Sequence, residues 1–527
     1  MKFSPNNLNF SKAEIVRLYL WPAALAMTVS LAGFALWEPI SPFNQTRLLQ
    51  LALLFWVSSL LVFNRVVSGR VIQSISTTRI QTLLWVAAFW ILGLIAALNA
   101  QWPSFALQDW AHYLLLVLSV LAVANLASQH LQRSVKILMA GIVFGISLAL
   151  TRFVTQVILT LSLNVVTPLA QWWSPYANPR FIAQALIWII PLLTVLPTSW
   201  PAFRKRSHIA THALCSGVWM LLFWTGSRAE LASLVLSMGL VAVLMWRQAF
   251  SFLSRMTLHA LTGCALWLLT RMALSVGVAG GGVLSLARSG VSGRDWLMEL
   301  SLHLMAQHPW LGVGPAHFSA YNFNSSFPSA HPHNLILQIA AEWGLPAAVL
   351  VIYLLWKFVR YQYHYTQQPL ARFDSTINLR YALRIPLLLT LFAVIFTSML
   401  DGIHVMPLSL LVGVPVLGLM IAINTPTQNQ NLPPHRAYAE PSIATLVMFC
   451  WGILLLSIFQ QRDCLTYPIQ AEHLINARVI EDHPRFWLQG RMPIGTGCLE
   501  ISRYRNGVDT LLNRSVDASS SAEQYWR

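Results

Sequence analysis

Long apolar stretches fill most of this chain, and they predict membrane-spanning helices. Each stretch is continuous and close to the roughly 20 residues that a helix needs to cross a bilayer. A transmembrane barrel would instead show short alternating strands, so the pattern favours an all-α polytopic membrane protein. We predict about 12–13 transmembrane helices, with candidate spans at 18–37, 48–64, 82–99, 109–127, 137–162, 181–197, 209–225, 230–246, 257–275, 334–358, 383–402, 407–424 and 443–459.

One long polar interruption separates the ninth span from the tenth. Residues 276–333 form a loop rich in Gly, Pro, Asn and Ser. The stretch from Ser289 to Pro346, which Arg288 precedes, carries Arg294 at one end and histidines at the other. A loop of this length is more often functional than a simple connector. We therefore predict a transmembrane domain over residues 1–459 whose chemistry lies in this large loop, followed by a small polar tail, residues 460–527.

Composition agrees with a membrane protein. The chain is 56% hydrophobic and 10% charged, with a mean hydropathy of +0.58, whereas about a quarter of the residues of a soluble domain are charged. The formal net charge of +16 is spread over short loops and forms no basic stripe on a soluble domain, so no nucleic-acid partner is predicted. No Walker motif, dinucleotide fingerprint, CxxC or HExxH occurs, and we predict neither a cofactor nor a metal.

The distribution of Lys and Arg among the short loops predicts the orientation. Placing the N-terminus inside puts most basic residues on the cytoplasmic side, as the positive-inside rule requires. The odd number of spans then places the large loop and the tail on the outer side. Cys464 and Cys498 lie in that tail. The sequence is compatible with a disulfide between them and equally with two free thiols.

Five arginines oppose this bias because they lie on the outer side. One is Arg47, and the four at membrane-proximal points are Arg180, Arg228, Arg288 and Arg294. Arginine matches phosphate oxygens with a fixed fork of donors, and a helix N-terminus adds backbone N–H donors. TGSRAE and SGRDW both resemble helix starts, so the set predicts a pyrophosphate site. The alternative is interfacial anchoring, with pairing to Glu230, Asp295 or lipid headgroups.

Two histidines stand immediately before the tenth span, in SAHPHNLILQ. His331 and His333 lie beside the outer arginines, and a neutral imidazole is the usual general base near neutral pH. Asn334 would orient the base or the substrate. The alternative is an interfacial histidine that caps a helix. Asp401 and His404, at the end of the eleventh span, could line the same cavity, whereas His303, His308 and His317 are weaker candidates.

The motifs SGRDW, HPWLGVGPAHF and HPHNLILQIAAEWGLP, with TGSRAE upstream, resemble the O-antigen ligase superfamily over roughly residues 170–425. This superfamily includes lipopolysaccharide O-antigen ligases, O-antigen polymerases and the O-linked oligosaccharyltransferases that glycosylate pilins. The resemblance implies an integral membrane glycosyltransferase of the bacterial inner membrane, with its active site facing the periplasm. It also implies an undecaprenyl-pyrophosphate-linked glycan donor and no nucleotide or required metal.

Carried over residue by residue, the resemblance places the essential arginines on Arg228 and Arg294 and the essential histidine on His333. Candidate substrate-binding residues beside these three are Arg180, Arg288, His331, Asn334 and Asp295. The acceptor stays open among a lipid A core sugar, a pilin Ser or Thr and a growing glycan, which correspond to a ligase, an oligosaccharyltransferase and a polymerase. A lipid-linked glycan transporter is a further alternative from a different class.

Overall fold

The computed structural model describes residues 12–34, 36–37, 40–163, 172–195, 208–277, 293–322, 329–368, 375–425 and 440–462. In these residues the regular structure is entirely helical, which confirms the predicted all-α class. The α-helices are α1 (Lys12–Ala32), α2 (Pro42–Phe63), α3 (Arg65–Thr77), α4 (Ile80–Leu98), α5 (Pro103–Gln129), α6 (Leu131–Leu163), α7 (Pro179–Leu193), α8 (His208–Trp224), α9 (Arg228–Gly277), α10 (Arg294–Gln307), α11 (Phe318–Tyr321), α12 (Leu335–Trp343), α13 (Leu345–Gln367), α14 (Ser375–Leu400), α15 (Pro407–Ala422) and α16 (Glu440–Gln460).

The apolar helices agree with the predicted polytopic fold. Among the described residues, nine helices are long and apolar enough to cross a membrane. Three shorter apolar helices, α7, α8 and α15, coincide with three further predicted spans. Arg288, Cys464 and Cys498 lie outside the described residues, as does the tail beyond Arg462.

Helix α9 folds back on itself and supplies two of the predicted spans. Met245 has non-helical backbone angles, φ −144° and ψ 31°. Arg228 begins α9 only four residues after Trp224, yet the Trp224 indole also donates a 3.1 Å hydrogen bond to Thr270, near the other end of α9. A straight helix would separate residues 228 and 270 by about 63 Å. The chain therefore reverses at Met245, and its two arms correspond to the predicted spans 230–246 and 257–275.

Small residues bring α1 and α6 into close contact. A Cβ atom at Gly141 would lie 2.6 Å from the Ala24 carbonyl oxygen, and one at Gly145 would lie 3.0 Å from Leu31. The close approach lets the Thr28 hydroxyl donate to the Gly141 carbonyl at 3.0 Å. In membranes, such small-residue interfaces and interhelical hydrogen bonds hold helices together where no hydrophobic driving force acts between them.

The predicted tenth span, 334–358, starts in the wrong place. Residues 335–343 form the separate short helix α12, and the spanning helix α13 begins at Leu345. Gly344 separates them with a φ of +88°, and a Cβ there would lie 2.1 Å from the Trp310 carbonyl oxygen. Both helices are apolar, so the hydropathy pattern could not reveal the break between them.

The loop after α10 is bonded back onto α12. The Val313 N–H donates to the Ala341 carbonyl at 2.9 Å, and the Gly314 N–H donates to the Glu342 carbonyl at 2.8 Å. Gly312 has a φ of +62°, and a Cβ there would lie 2.4 Å from the Glu342 backbone. Glycine is therefore needed at this position for the backbone shape. This contact holds the loop against the C-terminal end of α12, at Ala341 and Glu342.

Candidate functional site

His333 forms an ion-pair contact with a residue that the sequence placed only at the margin of the site. Its Nδ1 atom lies 2.8 Å from Asp401 Oδ1, and among the described residues this is the one such pair. The Asp401 side chain is 3% exposed and that of His333 is 18% exposed. A carboxylate that accepts from Nδ1–H fixes the imidazole tautomer and leaves Nε2 to act as a base.

The surroundings of Asp401 keep its carboxyl group charged. Burial by itself raises the pKa of Asp401, but the hydrogen bond and charge of His333, the charge of Arg180 and the N–H of Gly402 together lower it below the ordinary value of 3.8. The Gly402 N–H donates to Oδ1 at 2.7 Å. Asp401 Oδ2 is buried without a hydrogen-bond partner. An ionised, buried carboxylate is a suitable partner for a histidine that gains a proton during a reaction.

The other ring nitrogen of His333 faces Ser329. Its Nε2 lies 3.4 Å from Ser329 Oγ, while the Ser329 hydroxyl donates its proton to the His331 carbonyl at 2.7 Å. The lone pair of Nε2 is therefore not consumed by a strong donor. His333 has a φ of +54°, a region that few non-glycine residues adopt. Strained backbone of this kind is concentrated at functional sites.

His331 and Asn334 hold His333 in place from both sides. The His333 N–H donates to Nδ1 of His331 at 3.2 Å, and the His331 ring is 3% exposed. A Cβ at Gly402 would lie 2.3 Å from that ring. The Asn334 side chain accepts from the Leu337 N–H at 3.0 Å, which caps α12, and it donates to the Met399 carbonyl at 3.2 Å. Both ends of this amide are therefore engaged within the protein.

Arg180 and Glu230 bring α7 and α9 to the same place. The charges of both Arg180 and Asp401 act on the Glu230 carboxyl group, which is fully buried and accepts from the Ser227 hydroxyl. Arg228 lies exposed two residues before Glu230, in the first turn of α9. Arg180 is half-buried in the first turn of α7, which Asn178 caps. Arg180 therefore acts on both Glu230 and Asp401, and Arg228 lies in the same helical turn as Glu230.

A chain of hydrogen bonds connects the start of α10 to His333. The Trp296 indole donates to Asn322 Oδ1 at 3.0 Å, and the Asn322 amide donates to the Ser329 carbonyl at 3.1 Å. Arg294 is half-buried two residues before Trp296, and Asp295 is exposed. The starts of α7, α9, α10 and α12 therefore all lie around one polar cluster, and helix starts favour anions.

Arg47 is an outer arginine for which the sequence pattern predicted no role. It is 1% exposed in α2, and its Nη2 donates to the Val405 carbonyl at 2.6 Å while Nη1 donates to Gln50 at 2.6 Å. Val405 lies four residues after Asp401. Arg47 therefore holds the segment that carries Asp401 against α2.

The structure thus brings most of the predicted site residues together, but they differ in how directly they contact the His333–Asp401 pair. His331, His333 and Asn334 lie around Asp401, Arg180 acts on both Asp401 and Glu230, and Arg228 lies in the same helical turn as Glu230. Arg294 lies two residues before Trp296, whose hydrogen bond to Asn322 leads to Ser329, whereas Arg288 lies outside the described residues. The sequence analysis assigned too small a role to Asp401 and Glu230. Each is an acidic residue next to an apolar run, and such a residue is costly in a membrane unless it is paired, which is the feature that could have identified both.

Two side chains near this site, Trp343 and His404, have structural contacts. Trp343 is 4% exposed and stacks on Phe89 with ring centres 5.0 Å apart. His404 contacts the Gln338 side chain at 2.8 Å, which fastens the Asp401 segment to α12. Among the residues that the structure describes, no three His, Cys, Asp or Glu side chains are grouped as they would be around a metal ion.

Fold and site together define a class: a multi-pass, all-α membrane protein with a buried histidine–carboxylate pair among cationic helix starts. Residues 213–352 match the family model described as O-antigen ligase. The match contains Arg228, Arg294 and His333, covers about a quarter of the chain, and confirms the resemblance to the O-antigen ligase superfamily. No curated protein matches the chain. The protein is therefore an O-antigen-ligase-like membrane enzyme, and Arg180 and Asp401 lie outside the matched segment.

Proposed function

We propose that this protein transfers glycan from undecaprenyl pyrophosphate to an acceptor hydroxyl at the periplasmic face of the bacterial inner membrane. The observation that supports this most strongly is the pair formed by His333 Nδ1 and the buried Asp401 carboxylate. It provides an oriented base beside several cations, which is what the removal of a hydroxyl proton and the departure of a pyrophosphate together require.

In this mechanism His333 Nε2 takes the proton of the acceptor hydroxyl. The acceptor oxygen attacks the anomeric carbon, and the bond between that carbon and the pyrophosphate oxygen breaks. The electron pair of the broken bond stays on undecaprenyl pyrophosphate, which leaves. Attack from the face opposite to the leaving group inverts the anomeric configuration. Asp401 stabilises the imidazolium that forms, as the carboxylate of a catalytic triad does.

The arginines supply the charge that the leaving group requires. Arg228 and Arg294 would bind the pyrophosphate, with Arg180 beside them and the N–H groups of four helix starts around them. A fork of donors that holds the departing diphosphate more tightly than the bound ester accelerates the chemical step. Arg228 is exposed and Arg294 and Arg180 are half-buried, so all three are accessible to a lipid-linked substrate.

Transfer by the purified, membrane-reconstituted protein tests this proposal. A lipid-linked glycan donor is offered with lipid A core, pilin and a second lipid-linked glycan in parallel, and His333→Ala is compared with the wild type. We expect transfer to one acceptor, which decides among ligase, oligosaccharyltransferase and polymerase, and its loss in the variant.

His303→Ala is the matched control because His303 is an exposed histidine of α10. It should retain wild-type transfer. Wild-type turnover by His333→Ala would overturn the assignment of the base. Movement of labelled donor across liposomes with no glycosyl transfer to any acceptor would favour a transporter instead.

A further inference from the structure

A second buried cationic cluster lies at the other end of α14 from Asp401. Arg384 precedes Asp401 by 17 residues, which is about 26 Å along a helix. It is 2% exposed, and its guanidinium lies over the Tyr365 ring at 4.1 Å from the ring centre. Its Nη1 donates to the Gln368 carbonyl at 2.6 Å. The guanidinium is thus held rigidly by one stacking contact and one hydrogen bond.

The opposite edge of this guanidinium has no partner. Both Nε and Nη2 of Arg384 are buried and form no hydrogen bond. These two N–H groups point in the same direction and form the fork that binds two oxygens of a phosphate or carboxylate. Arg384 forms no ion pair within the described residues. A buried, charged donor pair without an acceptor is destabilising, so an anion bound to this pair would stabilise the protein.

Neighbouring groups add to this demand for an anion. Arg380 lies one turn before Arg384 on α14, and its Nη1 donates to the Ile423 carbonyl at 3.1 Å. The Gln362 side chain is also buried. Its Oε1 accepts from Asn424 at 2.6 Å, and its amide Nε2 has no hydrogen-bond partner. Two like charges four residues apart on one helix repel each other. A bound anion relieves this repulsion.

The position of the cluster indicates where the anion comes from. Arg384 lies near the first residue of the apolar span Leu379–Leu400. Tyr361 and Tyr381, at the same end, are 52% and 57% exposed. Exposed tyrosines at a helix end are typical of the headgroup level of a bilayer. Arginines at this level bind the phosphates of anionic lipids.

We propose that Arg384, Arg380 and Gln362 form a binding site for a phosphate-bearing anion, occupied by the headgroup of an anionic phospholipid in the leaflet opposite to the catalytic site. Tyr365 orients the Arg384 fork, and the site acts on the stability of the helix ends of α13, α14 and α15. It is separate from the His333–Asp401 site and does not depend on the glycosyltransferase assignment.

The test uses the full-length protein in nanodiscs of phosphatidylcholine, with and without phosphatidylglycerol. Native mass spectrometry counts bound lipid, and thermal unfolding measures stability. We expect the wild type to retain phosphatidylglycerol and to unfold at a higher temperature in its presence. Arg384→Gln should weaken this binding by about tenfold or more, as expected for loss of a bidentate charged pair.

Three comparisons make the outcome decisive. Arg384→Lys keeps the charge but not the fork, so it should also lose binding. Arg247→Gln removes an exposed arginine two residues past the Met245 reversal, at the same end of the bundle, and should leave binding unchanged. If Arg384→Gln does not fold, Gln362→Leu, which removes a second donor of the cluster, should weaken lipid binding.

The remaining outcomes identify the source of the anion or overturn the site. Stabilisation by inorganic phosphate alone, lost in Arg384→Gln, would assign the site to a free phosphate. The Asp374 carboxylate, which lies outside the described residues, is the anion within the chain that the test must distinguish from lipid. The proposal would be overturned if phosphatidylglycerol stabilised Arg384→Gln as much as the wild type. It would also be overturned if this stabilisation were lost in Asp374→Asn but kept in Arg384→Gln.

Discussion

Two histidines of the same loop, His317 and His333, lie in turns that the structure uses differently. His317 is fully buried, with Nδ1 2.8 Å from the Pro315 carbonyl and Nε2 accepting from the Trp102 N–H at 3.0 Å. Both of its ring nitrogens serve the backbone. His333 commits only Nδ1, to Asp401, and remains partly accessible at Nε2.

The comparison shows that residue type and loop position do not distinguish a structural imidazole from a candidate base. His317 lies in a turn fixed by Gly314, whose φ is +104°. His333 lies in a turn that instead strains its own backbone, at a φ of +54°. The available ring nitrogen, and the buried carboxylate opposite it, mark the histidine that can carry a proton.

The largest expected effect is the loss of activity in His333→Ala. Loss of a general base reduces the rate by about 10²–10⁴-fold. The side chain is 18% exposed and its removal leaves the buried Asp401 carboxylate without its partner, so the melting temperature should also fall. Thermal unfolding and the transfer rate per folded molecule, measured on the same preparation, separate the two effects. A wild-type transfer rate per folded molecule would mean that His333 is structural, as His317 is.

For Asp401→Asn we expect a loss of activity of up to about 10⁴-fold, because the amide no longer fixes the tautomer or stabilises the imidazolium. The double variant with His333→Ala separates positioning from packing. If Asp401 acts through His333, the second substitution should add almost nothing to the first. Additive losses of activity would show an independent role for Asp401.

For His317→Ala we expect a change in stability instead of catalysis. The substitution leaves the Trp102 N–H and the Pro315 carbonyl without their partner, which costs about 1–3 kcal/mol for each buried group left unsatisfied. Thermal unfolding should detect this, while the transfer rate per folded molecule is unchanged. A loss of rate without a loss of stability would place His317 in the site with His333.

The smallest effect is a dependence of stability on pH. The folded-state pKa of Asp401 lies below the ordinary 3.8, so its contribution is fully present above that value and is lost as the pH falls through the folded-state pKa. In unfolding temperatures measured from pH 7 to pH 3, the contribution of Asp401 should therefore be lost only below about pH 4. Asp401→Asn should remove part of this decline, and Asp295→Asn, at an exposed carboxylate, should not. Identical acid profiles for the wild type and Asp401→Asn would contradict the pairing with His333.

Much of the fold could be read from the sequence because a membrane imposes its requirement locally. Each span must satisfy its own backbone hydrogen bonds and remain apolar over about 20 residues. The sequence therefore predicted both arms of α9 as separate spans, and the chain reverses between them at Met245. It failed at α12 and α13, since a glycine that separates two apolar helices leaves no mark in the hydropathy.

For the site, the sequence by itself determined which residues carry charge and which open helices: Arg228 and Arg294 in their motifs, and His333 before an apolar run. Only the tertiary structure decided their use. Asp401 lies 68 residues from His333 and meets it through the packing of α14 beside α12. Glu230 and Arg180 reach the same carboxylate from α9 and α7. The residue type determines what chemistry a side chain can perform. Which distant side chains come into contact depends on how the helices pack, and no pattern along the chain shows this.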